Sequence, residues 1–221
     1  MTQTLETCRY TPPNWLDPLD WSQVFGRSGP VEVEIGCGKG TFLVWAAAQQ
    51  PDRNFLGIER LLDRLRKADR KTRRLGLTNI RLLRLEASYV VGKLIPPGSV
   101  AAYHILFPDP WPKRRHAAHR LFQPAFVSDL HRTLIGGGTR SVASETESRP
   151  RQSVALQQTG VVNFATDSAD YFAEVRQVMP ARGEFGETAP PQLPVEAQTD
   201  FEREFRAAGK PIYRTWFVRR G

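Results

Sequence analysis

Cysteine is scarce in this chain: Cys8 and Cys37 are the two among 221 residues. They form neither a disulfide framework nor a zinc-ligand cluster, and so few thiols fit a reducing compartment. Long apolar runs are missing too, since none approaches the roughly 20 residues that a membrane span needs. The first residues, Met1-Thr-Gln-Thr-Leu-Glu-Thr-Cys8, lack the charged start and apolar core of a signal peptide. Acidic charge is in deficit. Twenty-three Asp plus Glu face 31 Lys plus Arg, a net charge of +8, which points toward a phosphate-rich partner. A soluble, basic, cytoplasmic protein is expected, of a length that suits one compact domain with a core that needs no staples.

What the chain does have is organised around Phe107-Pro-Asp-Pro-Trp-Pro-Lys-Arg-Arg-His116. The apolar run Val100–Leu106 before it reads as a buried strand. Pro108, Pro110 and Pro112 then forbid both helix and further ladder pairing, so the strand must end in a stiff turn. Such a turn holds Asp109 and Trp111 in fixed directions at little entropic cost on binding. Lys113, Arg114, Arg115, His116, His119 and Arg120 place a basic tract beside that carboxylate. One acid, one large aromatic and a basic run suit a polyanion that carries a ring.

Upstream, Val31-Glu-Val-Glu-Ile35 reads as a strand, Gly36-Cys-Gly-Lys-Gly40 as a glycine turn and Thr41–Gln50 as a helix. Strand, glycine turn and helix form the nucleoside-cradling unit of doubly wound α/β folds. A second strand, Asn54–Glu59, ends in an acid 19 residues beyond Gly40, where ribose hydroxyls are held in such folds. The pattern is G-x-G-x-G rather than the dinucleotide fingerprint, and Glu34 precedes it. A cationic ligand end near Glu34 fits S-adenosylmethionine (SAM) better than a nicotinamide dinucleotide. Glu32, on the same strand face, reads as a strand-edge or solvent acid.

Residues 60–75 read as a helix with Leu61, Leu65, Ala68 and Leu75 as its apolar stripe and eight basic residues elsewhere. That basic face is either a solvated surface or an RNA contact. Strand 79–85 ends at Glu86, which either meets the adenine amino group or is a polar strand terminus. Leu121–Ile135 reads as a helix, and 139–160 as a polar insert, either functional or of low order. Val161–Thr166 is a fifth strand, followed by Asp167, a helix cap or a ligand acid. Gly183–Pro194 reads as a loop, Thr199-Asp-Phe-Glu202 as a capping box, and Ile212–Val218 as the last strand. Residues 1–30 read as an arm that packs Trp15 and Trp21 onto a main domain spanning 31–221.

Val33–Gly40, Asn54–Glu59, Phe107–His116, Ala165–Asp167 and Thr199–Glu202 occur in the order of one family. The chain resembles the bacterial tRNA (guanine-N7)-methyltransferases from about residue 10 to its end, apart from 139–160. The resemblance implies a three-layer, doubly wound, Rossmann-like SAM-methyltransferase sheet, mostly parallel, of seven strands with the last antiparallel. It implies methylation of a guanine in the tRNA variable loop, with SAM as cofactor, no metal and no obligatory protein partner, by a monomer or homodimer. Matched by position, Glu34, Gly36, Gly38, Gly40, Glu59 and Glu86 resemble SAM contacts. Asp109 resembles the acid at the reaction centre, close to the cofactor. Lys113, Asp167 and Thr199 to Glu202 resemble substrate contacts, and Arg115, His116, His119 and Arg120 fall where the family meets RNA. Glu86 stands where the family usually has Asp. Other readings are a catalytically silent RNA-binding protein on the same fold, a SAM methyltransferase for another substrate and, more distantly, a nicotinamide dehydrogenase.

Overall fold

The computed structural model describes residues 7–111, 113–136 and 159–221. Pro112 and the insert expected at 139–160, up to residue 158, lie outside the described residues. The elements run β1 (Arg9–Tyr10), α1 (Trp21–Phe25), β2 (Val31–Ile35), α2 (Thr41–Gln49), β3 (Asn54–Ile58), α3 (Leu62–Arg74), β4 (Ile80–Leu83) and α4 (Ala87–Tyr89). After a π-turn at Val90–Leu94 come β5 (Val100–Leu106), a 3-10 turn (Arg114–His119), α5 (Pro124–Thr133), β6 (Val161–Thr166), α6 (Ala169–Val178), β7 (Phe185–Thr188), α7 (Asp200–Ala207) and β8 (Tyr213–Arg219). No helix among the described residues is long and apolar enough to cross a membrane.

One sheet joins all eight strands in the order β1-β4-β3-β2-β5-β6-β8-β7. The first six are mutually parallel, and β8 is antiparallel to both β6 and β7. Seven strands make the expected sheet, and the eighth, β1, comes from the N-terminal arm. Its Cys8 carbonyl accepts from Leu82 N–H at 2.9 Å. β7 corrects the reading of 183–194 as pure loop. A four-residue strand interrupted by Gly186 shows no alternation of its own and is held by its ladder to β8.

Alternation along the buried strands sorts the core into two layers. Val31, Val33 and Ile35, with Tyr103, Ile105, Val162 and Phe164, pack under α1, α5 and α6. Phe122, Phe164 and Tyr171 meet there edge to face, with centroids 5.0–6.2 Å apart, geometry worth about 0.5–1.5 kcal/mol per pair beyond burial. Phe42, Leu43, Phe55, Leu65, Ala68, Leu82 and Leu106 fill the opposite face under α2 and α3. Glu32 and Glu34 therefore point into this second layer.

Several expectations need correction. Glu32 is buried, bound to Arg53 Nη1 and His104 Nε2, each at 2.8 Å. It is neither an edge nor a solvent acid, because α2 covers that face of β2. In α3 the inward stripe is Leu65, Ala68, Asp69 and Thr72, while Leu61 and Leu75 are 48% and 55% exposed at its two ends. Trp15 is 40% exposed, whereas Trp21 packs against Phe25 and the core. The helix expected over 121–135 begins only at Pro124, which sits in its first turn.

Gly57 of β3 lies under the glycine turn. A Cβ there would meet Leu43 Cδ2 at 2.7 Å, Cys37 Sγ at 2.9 Å and Leu82 Cδ2 at 2.9 Å. Gly57→Ala should therefore destabilise the protein by about 1–3 kcal/mol, a fall of several degrees in Tm for a chain of this size. Urea unfolding with an unchanged midpoint would show that α2 and the turn shift freely instead.

Candidate functional site

Open α/β sheets bind ligands beyond the carboxyl ends of their strands, where the strand order reverses. Here that crevice lies between β2 and β5, and the glycine turn and the proline loop both leave from it. Gly36, Gly38 and Gly40 have φ of 72°, 55° and 72°, a left-handed backbone that other residues adopt at a cost. A Cβ on Gly36 would meet nothing within 4 Å, so the turn faces open space.

Two cavities flank this turn, and Gly36 lines both. One, of about 240 Å3, runs under α7 and is lined by Glu34, Gly38, Lys39, Thr41, Thr199 and Asp200, among others. The other, of about 190 Å3, is lined by Ile58, Glu59, Arg60, Leu85 and Glu86 among others. The first is acidic at its base. Glu34 is 3% exposed, its Oε2 has no hydrogen-bond partner among the described residues, and burial holds its carboxyl well above the usual range. Glu59 behaves differently. Its Oε2 accepts from Gly38 N–H at 3.0 Å and its Oε1 from Leu61 N–H at 2.8 Å, so it ties the turn to the start of α3 and keeps lone pairs for a ligand.

Glu86 caps α4, its Oε2 accepting from Tyr89 N–H at 3.0 Å and from the Ser88 hydroxyl. These bonds, offsetting desolvation, hold its carboxyl below the usual range. Cys37 is buried, and desolvation with Glu34 and Glu59 nearby pushes its thiol well up, so it fills space under Gly57 as an unreactive group.

The proline loop carries backbone strain at both ends. Phe107 and Trp111 are the non-glycine residues with positive φ among the described residues, at 56° and 41°. Phe107 N–H donates to Ala165 O at 2.7 Å, and its ring meets Phe205 of α7 at 5.6 Å. Asp109 is exposed, its Oδ1 accepting from Trp111 N–H at 3.2 Å. Arg120 holds the loop from below. Its Nε donates to Pro110 O at 2.8 Å and its Nη2 to Trp111 O at 3.2 Å, while Nη1 pairs with Glu174 and the guanidinium lies over Tyr171. His116 meets Trp111 edge-on at a centroid distance of 5.7 Å, and His119 meets it at a tilt at 5.0 Å. Lys113 and Arg115 are exposed, and Arg115 Nε lies 3.3 Å from His116 Nε2.

Asp167 follows β6, the strand beside β5, and its Oδ2 accepts from Lys210 Nζ at 2.9 Å. Ser168, not Asp167, caps α6. Thr199 caps α7 and lines the first cavity, the half of a capping box that the sequence predicts. Glu202 does not complete the box. It is 3% exposed between Arg206 and Arg214, at 2.8 and 2.7 Å, and faces a separate cleft. Sequence reasoning placed Asp200 within the Thr199 to Glu202 contacts but missed its partners Thr41 and Lys71, with which it joins the two halves of the cavity wall. Thr41 Oγ1 donates to Asp200 Oδ1 at 2.8 Å and accepts from Lys71 Nζ at 2.7 Å. Nothing local marks a bond between residues 159 positions apart.

The buried, unpartnered Glu34 oxygen and the glycine turn fit a nucleoside that carries an ammonium group. Comparisons with known proteins agree. The family model described as "Putative methyltransferase" matches residues 28–157. The tRNA (guanine-N(7)-)-methyltransferase of Geobacter metallireducens is 34% identical over 89% of this chain and 85% of its own length. Those of Myxococcus xanthus and Thermotoga maritima are each 32% identical over 89% of the chain; the match spans 87% of the former and 56% of the latter. Among solved structures, the 16S rRNA methyltransferase KamB aligns with a TM-score of 0.59 at 15% identity, over 90% of this chain and 91% of its own. TrmN from Thermus thermophilus aligns at 0.55 and 16% identity, over 90% of this chain and 47% of its own. These two show the shared class I SAM-methyltransferase fold. With relatives of this identity and coverage beside its glycine turn and proline loop, the chain belongs to the tRNA (guanine-N7)-methyltransferase family.

Proposed function

We propose that this protein methylates N7 of a guanine in tRNA, and that the guanine lies in the variable loop. The observation that supports it best is the pairing of a buried Glu34 carboxyl, one oxygen of which has no partner among the described residues, with a strained, clamped loop carrying Asp109 at the next strand end. SAM supplies an electrophilic methyl group on a sulfonium. In this reading Glu34 receives the ammonium end, the glycine turn lets the backbone approach, and Glu59 and Glu86 face the ribose and base.

Guanine N7 has a lone pair and no proton, so its attack needs no general base. The residues then have to align the base, which contributes on the order of 7–11 kcal/mol in the best cases, and to stabilise the positive charge that the purine gains. Asp109 and Asp167 extend from the ends of adjacent parallel strands and suit the base's N–H donors, with their negative charge facing the growing cation. Trp111 with His116 and His119 offers a stacking surface, a type of contact worth about 1–3 kcal/mol per base. Arg120 acts through the loop: its bonds to two loop carbonyls hold Asp109 in direction. The silent RNA-binding reading leaves the buried Glu34 oxygen without a purpose.

The direct test is transfer from labelled SAM to unmodified tRNA transcripts with the variable-loop guanine present or replaced by adenine. Label is expected as 7-methylguanosine in the first and absent in the second; equal incorporation would move the target elsewhere. Asp109→Asn should lower kcat by about 10²-fold without changing Tm, and near-normal turnover would remove Asp109 from the chemistry. Glu34→Gln should weaken SAM binding by about 1.5–3 kcal/mol in calorimetry. It should also change the pH dependence of the unliganded protein. Because the folded-state pKa of Glu34 lies above the ordinary value of 4.5, its contribution favours folding fully below that value and is lost as pH rises toward the folded pKa. The wild type should therefore lose stability relative to Glu34→Gln across that window, and parallel Tm–pH curves would show that the carboxylate is already paired.

A further inference from the structure

Outside the two cavities, a groove of about 780 Å3 is lined by basic residues alone: Lys39, Lys67, Arg70, Lys71, Arg73 and Arg74. All but Lys39 belong to α3. A solvated helix face normally interleaves signs and gains from i,i+4 pairs of opposite charge. This one does not. Asp69 is turned inward onto Thr7 and Cys8, with Arg73 beside it at 3.2 Å, and Asp63 sits at the first turn against Arg66. Lys67, Arg70 and Arg74 are exposed and make no ion pair or hydrogen bond among the described residues. Like charges at such spacing cost a helix a few tenths of a kcal/mol each. Basic residues in the last turn complement the helix dipole, which accounts for Arg74 but not for Lys67 or Arg70.

The groove also has a direction. Lys39, in the glycine turn, lines both it and the first cavity. Lys71 bridges to the cavity wall through Thr41, and burial together with Lys39, Arg203 and Arg74 depresses its pKa. Burial is the main cause, opposed by Asp200, and Lys39 pairs with Asp200 at 3.6 Å, so among the described residues the cations left for an anion are Lys67, Arg70 and Arg74. From Lys67 to Arg74 the stripe runs about 10 Å along the helix, long enough for successive phosphates of one strand rather than a single anion.

We infer that the α3 groove is a second docking surface for the tRNA phosphate backbone, separate from the basic run beside the proline loop and continuous with the mouth of the candidate SAM cavity. This rests on reading the chain as a tRNA-modifying enzyme. The contact is to backbone rather than bases, because the lining offers cations and no ring, so it adds affinity and orientation without sequence readout.

The test compares wild type with the charge reversal K67E/R70E/R74E and the neutral K67Q/R70Q/R74Q. Binding of an unmodified tRNA transcript is titrated at several salt concentrations, alongside steady-state methylation and SAM calorimetry. The reversal should raise Kd and KM for tRNA at least ~10-fold and lower the slope of log K against log salt by about 2–3, at 0.7–0.9 per phosphate contact. kcat and SAM affinity should hold, and the neutral variant should fall between. If the reversal folds poorly, the neutral variant carries the same comparison. An unchanged slope and KM overturn the inference and leave the groove to a different anionic partner. Wild type that binds tRNA without methylating it would sink the enzymatic reading while the slope still decides the groove, and wild type that binds no tRNA overturns both.

Discussion

A carboxyl group buried away from water must be paired or give up its charge, and Glu34 of β2 does the second, burial holding its pKa well above the usual range. Its neighbour two residues earlier shows the alternative: Glu32 is matched by Arg53 and His104, the usual condition for a buried acid. Glu34, at the end of the same strand face, has a backbone hydrogen bond from Leu43 of α2 and one buried oxygen without a partner among the described residues. Much around it follows from that choice. The glycine turn lies beside it, Glu59 pins that turn from the far side, and α7 roofs the cavity through Asp200 and Thr41.

The proline loop solves a related problem by other means. Its ends sit in left-handed backbone at Phe107 and Trp111, a conformation that neither residue favours in isolation. Arg120, Glu174 and Tyr171 hold it there. Direction at Asp109 is therefore set by long-range bonds from the segment before α5 and from α6, and not by prolines alone.

Much of this was readable from the chain itself. Runs such as Val100–Leu106 and the glycine turn are local, so composition and spacing found the central strands and their ends. The resemblance added a mostly parallel sheet with its last strand antiparallel, as β8 is. What escaped notice depends on partners remote in sequence. β7 exists through its pairing with β8, Glu32 is paired with Arg53 and His104, and Arg120 and Glu202 are engaged by groups on other elements. A basic residue in a basic run looks the same whether it faces solvent or clamps a loop. Leu61 and Leu75 misled for a simpler reason: they lie at the ends of α3, beyond the reach of the core that Leu65 and Ala68 enter.

The two outer strands differ in how they guard the sheet. β7 ends in exposed Glu187 and Thr188, and the Arg220 side chain lies against Gly186, charge and bulk that discourage another strand from adding there. β4 has no such guard of its own; Ile80, Leu82 and Leu83 are buried, and β1 with its Cys8–Asp69 bonds covers their open side. Two residues of the arm thus act as a gatekeeper against edge-to-edge association. Trimming the chain to its most recognisable motifs would remove that cover and leave the β4 edge free to pair with another strand.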